Sequence, residues 1–201
     1  LDYRGRDEMP DDFDTFWNKQ VAEVEVPQDY QLLEKDFRIA YAACYELTFK
    51  TGNGGLIYAK LVVPKLSEKV PVLFHFHGYM GQGWDWADML AYTAAGWGVV
   101  SMDVRGQSGY SLDGNREVRG NTVKGHIIRG ALDGPDQLFF KDVYLDVYTL
   151  IELVASLDFV DENRLSSFGG SQGGALALVA AALNSQIKQT VAIYPFLADF
   201  R

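Results

Sequence analysis

The sequence predicts an α/β fold: a mostly parallel central sheet with helices on both faces. Three observations predict it. Short apolar runs at 70–76, 98–102 and 190–194 have the look of buried strands. Helical patterns alternate with them, which is how parallel sheets are wound. A glycine-rich turn, Gly169-Gly170-Ser171-Gln172-Gly173-Gly174, joins a strand to an Ala/Leu-rich helix.

Taken in order, residues 10–25 are expected to be helical. Asp11 or Asp12 would cap the start, and Phe13, Phe16, Trp17 and Val21 fall on one face. Residues 45–63 are expected to form strands around the turn Gly52-Asn53-Gly54-Gly55. There Ala59, Leu61 and Val63 alternate with Tyr58, Lys60 and Val62. Residues 70–76 form a buried strand that runs out into His77-Gly78-Tyr79. Residues 86–95 form a helix closed by Gly96, and 98–102 the next buried strand, leading into Asp103-Val104-Arg105-Gly106-Gln107. The stretch 114–137 has no clean period and reads as a long loop or inserted hairpin. Residues 142–157 give the clearest helix, with Val143, Val147, Leu150, Ile151 and Val154 on its apolar face. A final buried strand is expected at 190–194, stopped by Pro195. The 201 residues read as a single domain, truncated after that strand.

Composition narrows the function classes. The formal net charge is -9, which argues against nucleic acid and anionic membrane surfaces as partners. No run of about 18 apolar residues offers a membrane span. Cys44 is the only cysteine, so there is neither an internal disulfide nor a cysteine-rich metal site. With three histidines and no H-x-x-H spacing, no metal or other cofactor is expected. The expected compartment is the cytoplasm.

The turn at Ser171 carries chemistry. G-x-S-x-G between a strand and a helix is the nucleophile elbow of α/β-hydrolases. It holds a serine hydroxyl above the sheet edge at a helix N-terminus, where N–H groups and the helix dipole stabilise an oxyanion. Ser171 is the expected nucleophile, and the backbone N–H groups of Tyr79 and Gln172 are the expected oxyanion donors. His75 and His77 are expected to be hydrogen-bonded core residues, and Asp103 a structural hydrogen-bonder. His126 and Asp199 are weak candidates for base and acid. In this fold the triad runs serine, acid, histidine along the chain, yet no histidine follows Ser171.

These residues resemble the acetyl xylan esterase / cephalosporin-C deacetylase family, the seventh carbohydrate esterase family, within the α/β-hydrolases. The resemblance is carried by Asp12-Phe13-Asp14-Thr15-Phe16-Trp17, by His75 to Tyr79, by Arg105-Gly106-Gln107 as the family's RGQ, by Gly169 to Gly174 as its GGSQGG, and by Tyr194 to Phe200. It implies a serine esterase that removes acetyl groups from small acetylated sugars, and often from cephalosporin C. It implies a homo-oligomer, usually a hexamer, with 114–137 near the site and the subunit contacts. The RGQ residues would support the rim beside the nucleophile. It also implies a longer chain, whose C-terminal strands, triad acid and histidine lie beyond Arg201. Two other readings remain at this point: a catalytically incomplete fragment or degenerate homologue, and another α/β-hydrolase such as a peptidase or lactone hydrolase.

Overall fold

The computed structural model describes residues 8–114 and 127–196. Among these residues seven strands form one sheet: β1 (Tyr30–Lys35), β2 (Ala42–Lys50), β3 (Leu56–Pro64), β4 (Val70–Phe76), β5 (Gly98–Met102), β6 (Val160–Gly170) and β7 (Ile187–Ile193), in the order β1-β2-β3-β5-β4-β6-β7. The ladders β4–β5, β4–β6 and β6–β7 are parallel, and those joining β1, β2, β3 and β5 are antiparallel. The sheet is therefore mixed. An antiparallel β1–β3 meander is attached to a parallel half, and only the parallel half carries the site.

Among the described residues four α-helices cover the sheet: α1 (Phe13–Ala22), α2 (Trp86–Ala94), α3 (Phe139–Ala155) and α4 (Gln172–Leu183). Helices lie on both faces, as expected. Phe74, Phe76, Val100 and Met102 point to the face covered by α3 and α4, in the main core with Val147, Leu150 and Leu176. The opposite residues meet α2 through a smaller cluster of Cys44, Val62, Met89 and Val99. Burial on both faces explains why β3 is buried from Ile57 to Pro64, Tyr58 and Lys60 included.

Three boundaries depart from expectation. β1 was not foreseen. Among the described residues it is an outer strand paired only to β2, and its Leu33 is exposed. α1 is shorter than 10–25, and Asp12 sits at its N-cap without a side-chain capping bond. Its apolar face is only part-buried, with Phe13 exposed and Trp17 against Tyr144 of α3 at 5.7 Å between ring centroids. β7 is not a buried strand. Among the described residues it has a neighbour on one side only, and Val191 is 55 % exposed. Of the irregular stretch, 115–126 lies outside the described residues; 127–133 is turns, and Pro135–Gln137 a single 3-10 turn.

Candidate active site

Register brings the site together. Phe76 pairs with Met102 on one side and Gly169 on the other, and Gly170 pairs with Ile193. Parallel strands all end at one rim. The segments that begin at His77, Asp103 and Ser171 therefore leave the sheet side by side, at the edge where α/β sheets bind ligands.

Ser171 sits between β6 and α4 with φ 57° and ψ -121°, a conformation L residues rarely adopt. Surrounding bonds hold it there. Its N–H donates to Ile193 O (3.0 Å), and its carbonyl accepts from Ala175 N (3.1 Å) and Phe196 N (3.0 Å). The hydroxyl makes no capping bond to its own helix. Two glycines make the turn feasible. A Cβ on Gly169 would strike the backbone of Gly173, and one on Gly173 would strike the carbonyl oxygen of Phe76. Backbone packs on backbone here, pressing the start of α4 against the end of β4.

Tyr79 follows β4 in a turn closed by Gly81 N–H to Gly78 O at 2.9 Å. Met80, its third residue, is left-handed at φ 66°. Gln107 links this turn to the elbow. Its Oε1 accepts from Met80 N–H at 2.8 Å, its Nε2 donates to Gln172 Oε1 at 2.6 Å, and Gln172 Nε2 donates back at 3.1 Å. The Gln172 side chain is fully buried and also donates to His77 O at 3.4 Å. Ser108 Oγ donates to Met80 O at 2.9 Å.

Both described histidines serve the scaffold. His77 Nδ1–H donates to Gly78 O at 2.7 Å, which leaves Nε2 to accept from Val104 N–H at 2.9 Å; the ring is neutral in that arrangement. Burial lowers its pKa. His75 stacks on Trp84 at 3.7 Å, and its Nδ1 lies 2.8 Å from Ser101 Oγ. That is a nucleophile–base distance, but Ser101 is buried and its oxygen already accepts Trp84 N–H. Burial pushes the His75 pKa down to about 3. Asp103 accepts from Gly83 N–H at 2.6 Å and Tyr110 N–H at 2.8 Å. Among the described residues no imidazole is hydrogen-bonded to Ser171; His126 and Asp199 lie outside them.

Arg105, two residues before Gln107, faces away from the rim. It is wholly buried and clamps Asp146 of α3 through two bonds, Nε to Oδ2 at 2.6 Å and Nη2 to Oδ1 at 2.5 Å. Nη2 also donates to Thr51 Oγ1 and Asn53 Oδ1, at 3.0 and 2.9 Å. Asp142 and Asp113 stand 3.6 and 3.7 Å from Nη1. Sequence reading missed this network because its members are scattered along the chain.

The acetyl xylan esterase (AXE1) family model matches residues 1–201. The chain belongs to the acetyl xylan esterase family. It is 31% identical over 198 residues to acetyl esterase Axe7A of Xylanibacter ruminicola, covering 94% of this chain and 44% of that protein. Among solved structures, it matches acetyl xylan esterase 1 from Thermoanaerobacterium sp. JW/SL YS485 at 44% identity and a TM-score of 0.92, over 98% of this chain and 62% of that one. Against the acetyl xylan esterase from Paenibacillus sp. R4 the figures are 32%, 0.87, 98% and 63%. The chain thus spans less than two thirds of each of these relatives. The sheet and helices share the fold of these esterases, an α/β-hydrolase fold. Among the described residues no helix is long and apolar enough to cross a membrane, and no group of histidine, cysteine and acidic side chains is arranged to hold a metal ion.

Proposed function

We propose that the protein is a serine esterase that removes acetyl groups from small acetylated sugars such as xylo-oligosaccharides. The observation that carries this is Ser171, held at φ 57° on a strand-to-helix elbow in an acetyl xylan esterase family member. Ser171 Oγ bonds the acetyl carbonyl carbon as its proton passes to a base. The carbonyl oxygen becomes an oxyanion, received by the N–H groups of Tyr79 and Gln172 at the N-terminus of α4. The C–O bond to the sugar then breaks, and the sugar oxygen takes up the proton. Water hydrolyses the acyl-enzyme, releasing acetate and restoring the hydroxyl. His75 and His77 are committed to scaffold bonds, so the triad base and acid are assigned to residues other than those described. Cephalosporin C as a second substrate and a hexameric assembly belong to the same proposal, on the resemblance alone.

A second reading is a catalytically incomplete chain, favoured by the absence of an imidazole on Ser171 among the described residues. One experiment separates the two. The chain is treated with a serine-directed fluorophosphonate and read by intact mass beside Ser171→Ala, and acetate release from acetylated xylo-oligosaccharides is followed in parallel. One label per chain, lost in the variant, together with acetate release, supports the esterase. A folded chain that takes up no label supports the incomplete chain.

A further inference from the structure

We infer that Gln107 is a positioning residue that locks the two oxyanion donors into one unit; the inference rests on the esterase reading above. The two donors come from distant segments, Tyr79 after β4 and Gln172 at the start of α4. A single side-chain amide ties both down. Gln107 Oε1 accepts Met80 N–H at 2.8 Å, and its amide pairs reciprocally with that of Gln172 at 2.6 and 3.1 Å.

The turn needs this support. Met80 occupies a left-handed conformation at φ 66°, which is disfavoured for a side chain of its size and persists only where surroundings impose it. Gln107 Oε1 holds the Met80 N–H and Ser108 Oγ holds its carbonyl, so the peptide groups on both sides of Met80 are fixed. Tyr79, the second residue of the same turn, is fixed with them. Preorganised donors stabilise an oxyanion because nothing reorients when charge develops.

The bonds also dictate the chemistry required at 107. The oxygen must face Met80 N–H, so the nitrogen must face Gln172 Oε1. An ionised glutamate keeps the first bond and sets two oxygens against each other at the second. A protonated glutamate restores the donor. Gln107→Glu therefore makes a variant whose defect is relieved by acid.

The test compares wild type with Gln107→Glu and Gln107→Met, from pH 4 to 8, by fluorophosphonate labelling rate and by kcat and KM for acetate release. Removing one oxyanion donor costs roughly 10²- to 10³-fold in kcat, so Gln107→Glu is expected to lose about 10²-fold at pH 8 with KM nearly unchanged. The deficit relative to wild type should shrink as pH falls towards the ordinary glutamate range near about 4.3. Gln107→Met should show a deficit that does not change with pH. Amide exchange by NMR reads the geometry without chemistry: the Met80 N–H should exchange faster in Gln107→Met. A deficit equal at every pH in Gln107→Glu, a loss confined to KM, or unchanged Met80 exchange overturns the inference. If wild type neither labels nor releases acetate, the esterase reading fails, and Met80 exchange alone decides whether Gln107 positions the turn.

Discussion

Replacing Arg105 by methionine is expected to destabilise the protein by about 4 kcal/mol at pH 8 and much less at pH 6. Arg105 is fully buried, and its removal strands the Asp146 carboxylate, itself 1 % exposed. Breaking a buried pair by deleting one partner costs about 3–5 kcal/mol. The neighbours do not share the loss equally. Asp113 keeps Arg129, and Asp142 keeps Lys141 at 3.4 Å, so Asp146 is the group left without a counter-charge. Burial already pushes Asp146 up to about 6, against the pull of Arg105. Without Arg105 the carboxyl moves higher still. Below pH 6 both proteins hold Asp146 protonated, and the penalty reduces to lost packing and lost bonds to Thr51 and Asn53. Above it, wild type releases the proton and the variant does not. The variant's folded state then binds a proton its unfolded state lacks, so the gap widens by about 1.4 kcal/mol per pH unit. Urea denaturation at pH 6, 7 and 8 reads this directly. A penalty below about 1 kcal/mol, or one equal at pH 6 and 8, would refute the reasoning. Arg105→Lys keeps the charge without the fork, and its smaller penalty should be nearly flat with pH.

Two further outcomes follow from the site. Gly173→Ala drives a methyl group into the Phe76 carbonyl. The gain in helix propensity, about 1 kcal/mol, does not offset overpacking of about 1–3 kcal/mol against rigid backbone, so a net loss of urea stability is expected. Displacement of α4 should also slow fluorophosphonate labelling by more than tenfold, and unchanged labelling would sink this account of the elbow. The stability difference between wild type and His75→Phe should move against wild type as the pH is lowered from 6.5 towards 3; Asp146, raised to about 6, titrates with the opposite sign but alike in both proteins, and cancels. His75, depressed to about 3, is neutral in the folded protein and takes a proton when unfolded, so its contribution is present above 6.5 and lost on acidification. At pH 4 that shift is roughly 3 kcal/mol, read by urea denaturation of both proteins, and a difference that stays constant with pH would refute it.

Two strands of the parallel half, β4 and β5, were legible because each is a short apolar run bounded by glycine or a charged segment. β4 and β5 fall on the predicted bounds, 70–76 and 98–102. The elbow was legible for a steric reason: Gly169 and Gly173 stand where no side chain fits. Burial was harder to read. The predicted run at 190–194 is apolar enough for a core strand, but composition does not reveal whether a strand lies on each side. β1 was hidden for the opposite reason, since Tyr30 to Lys35 mixes polar and apolar residues as an outer strand does. The partners of Gln107 and Arg105 were beyond reach. Gln172 lies 65 residues from Gln107, and Asp146 41 residues from Arg105, so no local pattern records either bond.

Those two residues are separated by one glycine, and they anchor in different parts of the protein. Arg105 fastens the segment after β5 to α3 and to the β2–β3 turn, through Asp146, Thr51 and Asn53. Gln107 fastens the same segment to the rim, through Met80 and Gln172. Gly106, left-handed at φ 65°, makes the reversal between them. The RGQ tripeptide is thus a bracket with its strong end in the buried charge network and its working end on the oxyanion turn. The two ends predict different phenotypes. Loosening the arginine end should cost stability and, because the segment moves, reactivity at Ser171 as well. Altering the glutamine end should cost reactivity with little change in urea stability, since Gln107 is only part-buried. If Arg105→Met and Gln107→Glu instead lose stability and reactivity in the same proportion, the tripeptide is one structural element, and the glutamine has no separate role in positioning the donors.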